Sequence, residues 1–478
     1  MVVRAESRPP FFRYRVWRQL LLPILMAVGA GAAVTVGRVP AIVLLGVMGI
    51  AAVWALDEPQ AVLYLILAVI FIDRSPVVVH QSYVRLYQVM AIPILMKWVA
   101  LRVSRRERPI VPKGWVWALL WIGSFFFAWP VLISRTEFFV ELLGMTFLLA
   151  IQIVVFDTIE RYGIRDRAFL MLTYGAILVM LSGMGQYLLF LAHILHPETF
   201  GGFVRPYGLM REPDWYGVES GITLLLLIFQ KDRFSPRTYG VFVFLAIVGV
   251  VSSLARASWL SSAVALLVLA LVPGPQQVEA RRIVGMGIKA VALMMAGLCV
   301  FDLHELLRVI ARVSPINLGI GGTARLYAEY AWASRLASIK LMQVLIGLHP
   351  WFGNGAGVMG KLSLLPSIQN LYSGGGQLNT GRATTNIFLG QAASVGIVGT
   401  IPFVVWFIQG IVRGFRNPNG PIFGAILLLC AVDFEFNSGI GYGFFWVFMG
   451  LATLPQSSAS TPAPESQTLK FASFDAPN

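Results

Sequence analysis

From end to end, apolar runs near 20 residues alternate with short polar joints, and that run length matches the hydrocarbon of a bilayer. The runs fall at 20–36, 40–56, 60–72, 84–101, 115–133, 138–156, 168–192, 214–230, 238–254, 258–272, 283–301, 386–410, 419–436 and 439–455. They predict an all-α, polytopic integral membrane protein with about 12–14 transmembrane helices, the run at 60–72 being short for a span. Two joints break the rhythm. One is 193–213. The other, 302–385, is roughly 80 residues long, a length that marks a functional or disordered segment. This one does not read as disordered. Its stretch ARLYAEYAWASRLASIKLMQVLIGL sets Leu326, Tyr330, Leu336, Ile339, Met342, Val344 and Leu345 on one broad helical side, and His349-Pro350 ends the helix. A Gly-rich turn, FGNGAGVMG, and a looser stretch, YSGGGQLNTGR, follow. The expected organisation is a basic N-terminus (1–19), a helix bundle (20–301), the large loop (302–385), C-terminal spans (386–455) and a Ser/Pro/Ala-rich disordered tail (456–478).

Composition agrees with the pattern. Of 478 residues, 57% are hydrophobic and 13% charged, and the mean hydropathy is +0.74. Soluble domains run about 45–50% apolar and about 25% charged. A net charge of +14 raises the question of nucleic acid. Alternating spans answer it. With the N-terminus inside, beside Arg4, Arg8, Arg13, Arg15 and Arg18, most basic clusters also fall inside. They include Arg102 to Lys113, Arg161 to Arg167, Lys231 to Arg237, Arg281 to Lys289, and Arg413 with Arg416. That bias is the positive-inside signal, so no nucleic-acid partner is implied and both termini are expected in the cytoplasm. The first apolar run continues into a second and reads as a retained helix, not a cleaved signal. Cys299 and Cys430 show no metal spacing and read as packing residues. Pro93, Pro130 and Pro402 inside spans are candidate kinks.

A second set of arginines falls on the disfavoured outer side. SSLARASWL places Arg256 between two apolar runs with no acid within a helical turn. A charge at bilayer depth costs about 2.5 kcal/mol or more, so Arg256 sits at a membrane surface or serves a function. Arg205 and Arg211 precede the run at 214–230, and Arg308, Arg312, Arg325, Arg335 and Arg382 lie in the large loop. The planar guanidinium stays charged and donates in a fork suited to phosphate. Arginines converging on one cleft would hold a diphosphate; loop arginines paired with acids or lipid headgroups are the plainer reading.

RPYGLMREPDWYG, SSLARASWLSSAVALLVLAL, SRLASIKLMQVLIGLHPWFGNGAG and TTNIFLGQAASVGIVG occur in that order. Together they resemble the O-antigen ligase and polymerase superfamily of bacterial envelope enzymes, over the stretch 205–399. The resemblance implies glycosyl transfer at the periplasmic face of the inner membrane. The donor would be a glycan on undecaprenyl diphosphate, with no nucleotide sugar, metal or other cofactor. It implies the bilayer, and a chain-length regulator or other polysaccharide assembly proteins, as partners. By motif position, Arg205, Arg256 and Arg335 carry over as diphosphate-binding or leaving-group-stabilising residues, with Arg211 and Arg325 as further candidates. Asn386 would orient the acceptor or a loop.

One position departs from the family pattern. Thr385 stands where the family has a histidine before the asparagine, and a hydroxyl is a poor proton acceptor near neutral pH. Glu219, Glu329, His349, Asp433 and Glu435 are the candidate bases. Glu219 is the first choice, one to two turns inside the outer end of an apolar helix; it reads equally as a structural partner of Arg256. His349 reads better as a capping or packing residue. The missing histidine favours a polymerase over a ligase that delivers glycan to lipid A core. A lipid-linked glycan transporter or flippase is the reading of another class. It would show repeats and charges along a path through the spans, which the sequence lacks. GAGVMGKL falls short of a P-loop, having Leu362 where Ser or Thr would bind Mg²⁺. The aromatic run FEFNSGIGYGFFWVF is expected to form a membrane-interface belt, with a glycan groove as the alternative.

Overall fold

The computed structural model describes residues 57–68, 70–73, 77–79, 82–132, 134–194, 199–200, 203–301, 335, 338–355, 386–437 and 439–455. The expected runs at 20–36 and 40–56, the C-terminal tail, and Arg308, Arg312, Arg325, Glu329, Arg382 and Thr385 lie outside the described residues. The described chain is helical apart from two small ribbons. One pairs β1 (Val77–Val79) with β2 (Ser82–Val84), the other β3 (Thr199–Phe200) with β4 (Phe203–Val204), both antiparallel.

The helices are α1 (Glu58–Ala68), α2 (Leu86–Arg105), α3 (Trp115–Ser124), α4 (Arg135–Tyr162), α5 (Arg165–Leu191), α6 (Pro213–Phe229), α7 (Pro236–Ser252), α8 (Arg256–Leu271), α9 (Gln277–Phe301), α10 (Ser338–Leu348), α11 (Ile387–Phe415), α12 (Ile422–Asp433) and α13 (Gly443–Leu451). Their boundaries follow local chemistry. Ser134, Ser235 and Asn386 cap the starts of α4, α7 and α11 by accepting from Glu137 N, Thr238 N and Leu389 N. Pro213 and Pro236 occupy first-turn positions, where the missing N–H costs nothing.

Among the described residues three helices are long and apolar enough to cross a membrane: Arg135–Tyr162, Arg165–Phe190 within α5, and Ile387–Phe415, of 28, 26 and 29 residues. Leu119, Phe139, Leu143, Phe244, Leu267, Ile401 and Ile408 are exposed on α3, α4, α7, α8 and α11. Apolar exposure spread over several helices is unusual for a protein in water, and with the three long helices it suggests membrane association. α6 packs against α5, α7, α8 and α12, and α11 lies against α3 and α12. Small residues let these helices approach: Gly221 of α6 faces Ser262 of α8 so closely that a Cβ would lie 2.3 Å from its Oγ.

The aromatic run departs from its expected place. Phe444, Phe445, Trp446 and Phe448 are buried in the core rather than set at an interface. Trp446 lies 4.7 Å from Trp406 and 6.0 Å from Trp121, ring to ring. The cause is α13's position against α4, α11 and α12, which covers the run on several sides.

Pro93 lies within α2, whereas α11 breaks at Gly396 (φ 66°, ψ −173°) rather than at Pro402. The turn after α10 fills the break. Asn354 N and Gly355 N donate to the carbonyls of Ala393 and Ser394 at 3.0 and 2.9 Å; Ile397 N and Val398 N donate to those of Pro350 and Trp351 at 2.9 and 3.1 Å. A Cβ on Gly353 would stand 2.3 Å from the Ser394 carbonyl oxygen, and one on Gly396 2.3 Å from that of Trp351. Leu341, Met342 and Leu345 of α10 complete the joint against Ala393. His349 is exposed, and its carbonyl accepts from Gly353 N at 2.9 Å.

Candidate functional site

The starts of α6, α8, α11 and α13 meet the end of α12. Ser258 Oγ of α8 donates to the Asp214 carbonyl of α6 at 2.8 Å. Ile387 N of α11 donates to the Phe434 carbonyl at 3.1 Å. Trp215 of α6 lies 4.0 Å from the ring of Tyr442, which precedes α13, and 6.2 Å from Phe434. Each helix start carries unpaired N–H groups and the positive end of its dipole, so their meeting favours an anion.

Three of the five arginines assigned from the sequence to the diphosphate come together here. Arg205 is buried, its Nε donating to the Ser253 carbonyl and its Nη2 paired with Asp214. That bond holds the loop before α6 to the SSLA turn between α7 and α8, where Leu254 takes a positive φ of 50°. Arg256 is half-buried at the first residue of α8 and interacts electrostatically with Arg335 and Asp214. Arg335 lies over the Phe436 ring at 5.7 Å and also acts on Asp433. Among the described residues neither Arg256 nor Arg335 is in an ion pair. Arg211 is half-buried in the loop that leads into α6.

The carboxylates divide by surroundings. Asp214 is tied to Arg205. Asp433 is fully buried and accepts from Asn437 Nδ2 at 3.1 and 3.3 Å. Glu435 is half-buried in the turn beyond α12 and accepts from Asn386 Nδ2. Glu219 lies five residues inside Asp214, about 7.5 Å deeper along α6. It is 0% exposed, and neither carboxylate oxygen has a hydrogen bond among the described residues. The pairing of Glu219 with Arg256 is therefore not formed: Glu219 is enclosed within the packing of α6, whereas Arg256 stands at the first residue of α8.

Sequence reasoning missed the supports of this site. Gln186 Oε1 of α5 accepts from Tyr207 N and Gly208 N at 3.0 and 2.7 Å, fixing the RPYG turn. Arg85 joins Asp73 and the Gly441 carbonyl, and Tyr442 donates to Asp73 at 3.0 Å, tying the start of α2 to the turn before α13. The available signal was that Asp73, Arg85, Asp214 and Asp433 all fall at the same predicted ends of alternating runs. A separate network gathers the opposite helix ends: Arg102 pairs with Glu58 and Asp157 at 2.6 and 2.7 Å, and Arg161 with Asp157 at 3.1 Å.

Among the described residues no group of His, Cys, Asp and Glu has the makings of a metal site. The chain matches no protein-family model, and no curated protein is found similar to it.

Proposed function

We propose that this protein is a glycosyltransferase of the bacterial inner membrane, acting at the periplasmic face on undecaprenyl-diphosphate-linked glycans, and that it polymerises an O-antigen or exopolysaccharide. The observation that carries the reading is the meeting of Arg256 and Arg335 where several helices begin, neither of them in an ion pair among the described residues. Glycosyl transfer from a lipid diphosphate builds charge on the leaving oxygen, and fixed cations in a partly dry site stabilise it. Arg256 and Arg335 would grip the diphosphate, while Arg205, already engaged with Asp214 and Ser253, would hold the loop that shapes the site. The exposed apolar helices suit a lipid-borne donor that arrives through the bilayer. Thr385 in place of the family histidine favours polymerase over ligase. Charged networks at opposite helix ends suit helices that alternate in direction across a bilayer; the reading has about 12–14 spans with both termini in the cytoplasm.

The test uses the full chain in nanodiscs with an undecaprenyl-diphosphate-linked oligosaccharide and no other acceptor. A ladder of longer lipid-linked glycans is the expected result. Transfer only after lipid A core is added would mean a ligase. Donor binding without product on either acceptor would mean a transporter or flippase.

A further inference from the structure

A hydroxyl that attacks an anomeric carbon must lose its proton, and the residue that takes it needs access, basicity and orientation. Glu219 lacks access, being wholly enclosed. Asp433 is enclosed as well, and Asp214 is neutralised by Arg205. Glu435 differs from all three. It is half-buried, and its hydrogen-bond partner among the described residues is a neutral amide rather than an arginine. The next residue, Phe436, lies under Arg335 at 5.7 Å, so the turn that carries Glu435 packs against one of the cations assigned to the diphosphate.

Asn386 supplies the orientation. As the cap of α11, its Oδ1 accepts from Leu389 N at 2.8 Å, which leaves only Nδ2 to face Glu435. The amide thus holds one carboxylate oxygen, and the other is left to meet an acceptor.

Resting on the glycosyl-transfer reading above, we infer that Glu435 is the general base of the reaction and that Asn386 is its positioning residue. The acceptor oxygen bonds to the anomeric carbon as the bond from that carbon to the diphosphate oxygen breaks. The electron pair leaves with undecaprenyl diphosphate, and the acceptor proton passes to the Glu435 carboxylate.

The test measures donor binding and transfer separately, in the full chain with the same lipid-linked oligosaccharide. E435Q is expected to bind donor within about twofold of wild type while transfer falls about 10²- to 10⁴-fold. E435A is expected to recover at least about tenfold in formate, which supplies a small carboxylate. N386D keeps the helix cap but removes the donor to Glu435, so turnover should fall with KM little changed. Transfer by E435Q within about threefold of wild type, loss of donor binding in step with transfer, or no recovery of E435A in formate would each overturn the assignment. Wild-type transfer alongside such a result sinks the base alone. A wild type with no transfer sinks the glycosyl-transfer reading and the base with it.

Discussion

Arg256 illustrates how one side chain joins sequence to chemistry. It costs too much to sit idle among apolar runs, and it lies where Arg335 and Asp214 also reach. Removing one such cation should remove charge stabilisation at the leaving group, so R256A and R335A should each lower transfer about 10²- to 10³-fold. Arg205 should behave differently. Its pairing is buried, and R205A would strand Asp214 and free the Ser253 carbonyl. A lower melting temperature should accompany its loss of activity, whereas R256A should melt like wild type. Burial pushes the Glu435 carboxyl above the ordinary range, with Asp433, Arg335 and Asn386 around its turn. A base works deprotonated, so transfer should fall as pH drops through that raised value. The limb should vanish in E435Q.

At the level of helices, the joint between α10 and α11 gives two sequence motifs a structural meaning. HPWFGNG supplies a turn, and GIVG supplies the break that receives it. Gly353 and Gly396 both carry positive φ, 74° and 66°, and a Cβ on either would strike backbone. G353A and G396A should each destabilise the protein by upward of about 1 kcal/mol, read as a fall in melting temperature in detergent. Unchanged melting would contradict the joint. The helix ends were legible because apolar periodicity and Pro or Ser caps determine them locally. The break at Gly396 was not, since its stability comes from a turn some forty residues earlier in the chain. The buried run at α13 was misjudged for a related reason: aromatic residues suit interfaces and cores alike, and only the surrounding helices decide between them.

Across the molecule, charged side chains separate into two groups at opposite helix ends. One holds the candidate site. The other, built on Arg102, Glu58 and Asp157, is buried, with each member about as enclosed as the core. Breaking a buried pair by deleting one partner costs about 3–5 kcal/mol, because the other charge is left unpaired. R102A should therefore melt well below wild type while the folded fraction keeps its donor affinity. A matching loss of affinity would show that the two ends act as one unit. The alternation of apolar runs made both groups partly legible, as it sorted Arg256 and Arg335 from Arg102 and Arg161. It did not reveal that Arg205 is spoken for or that Glu435 meets Asn386, because those contacts depend on how distant helix ends dock.

If Arg256 and Arg335 hold a lipid diphosphate, direct binding will register the loss of either one. Undecaprenyl diphosphate titrated into the full chain in nanodiscs should bind wild type, with Kd weakened about 10- to 100-fold in R256A and in R335A. Equal Kd values for wild type and both variants would contradict it.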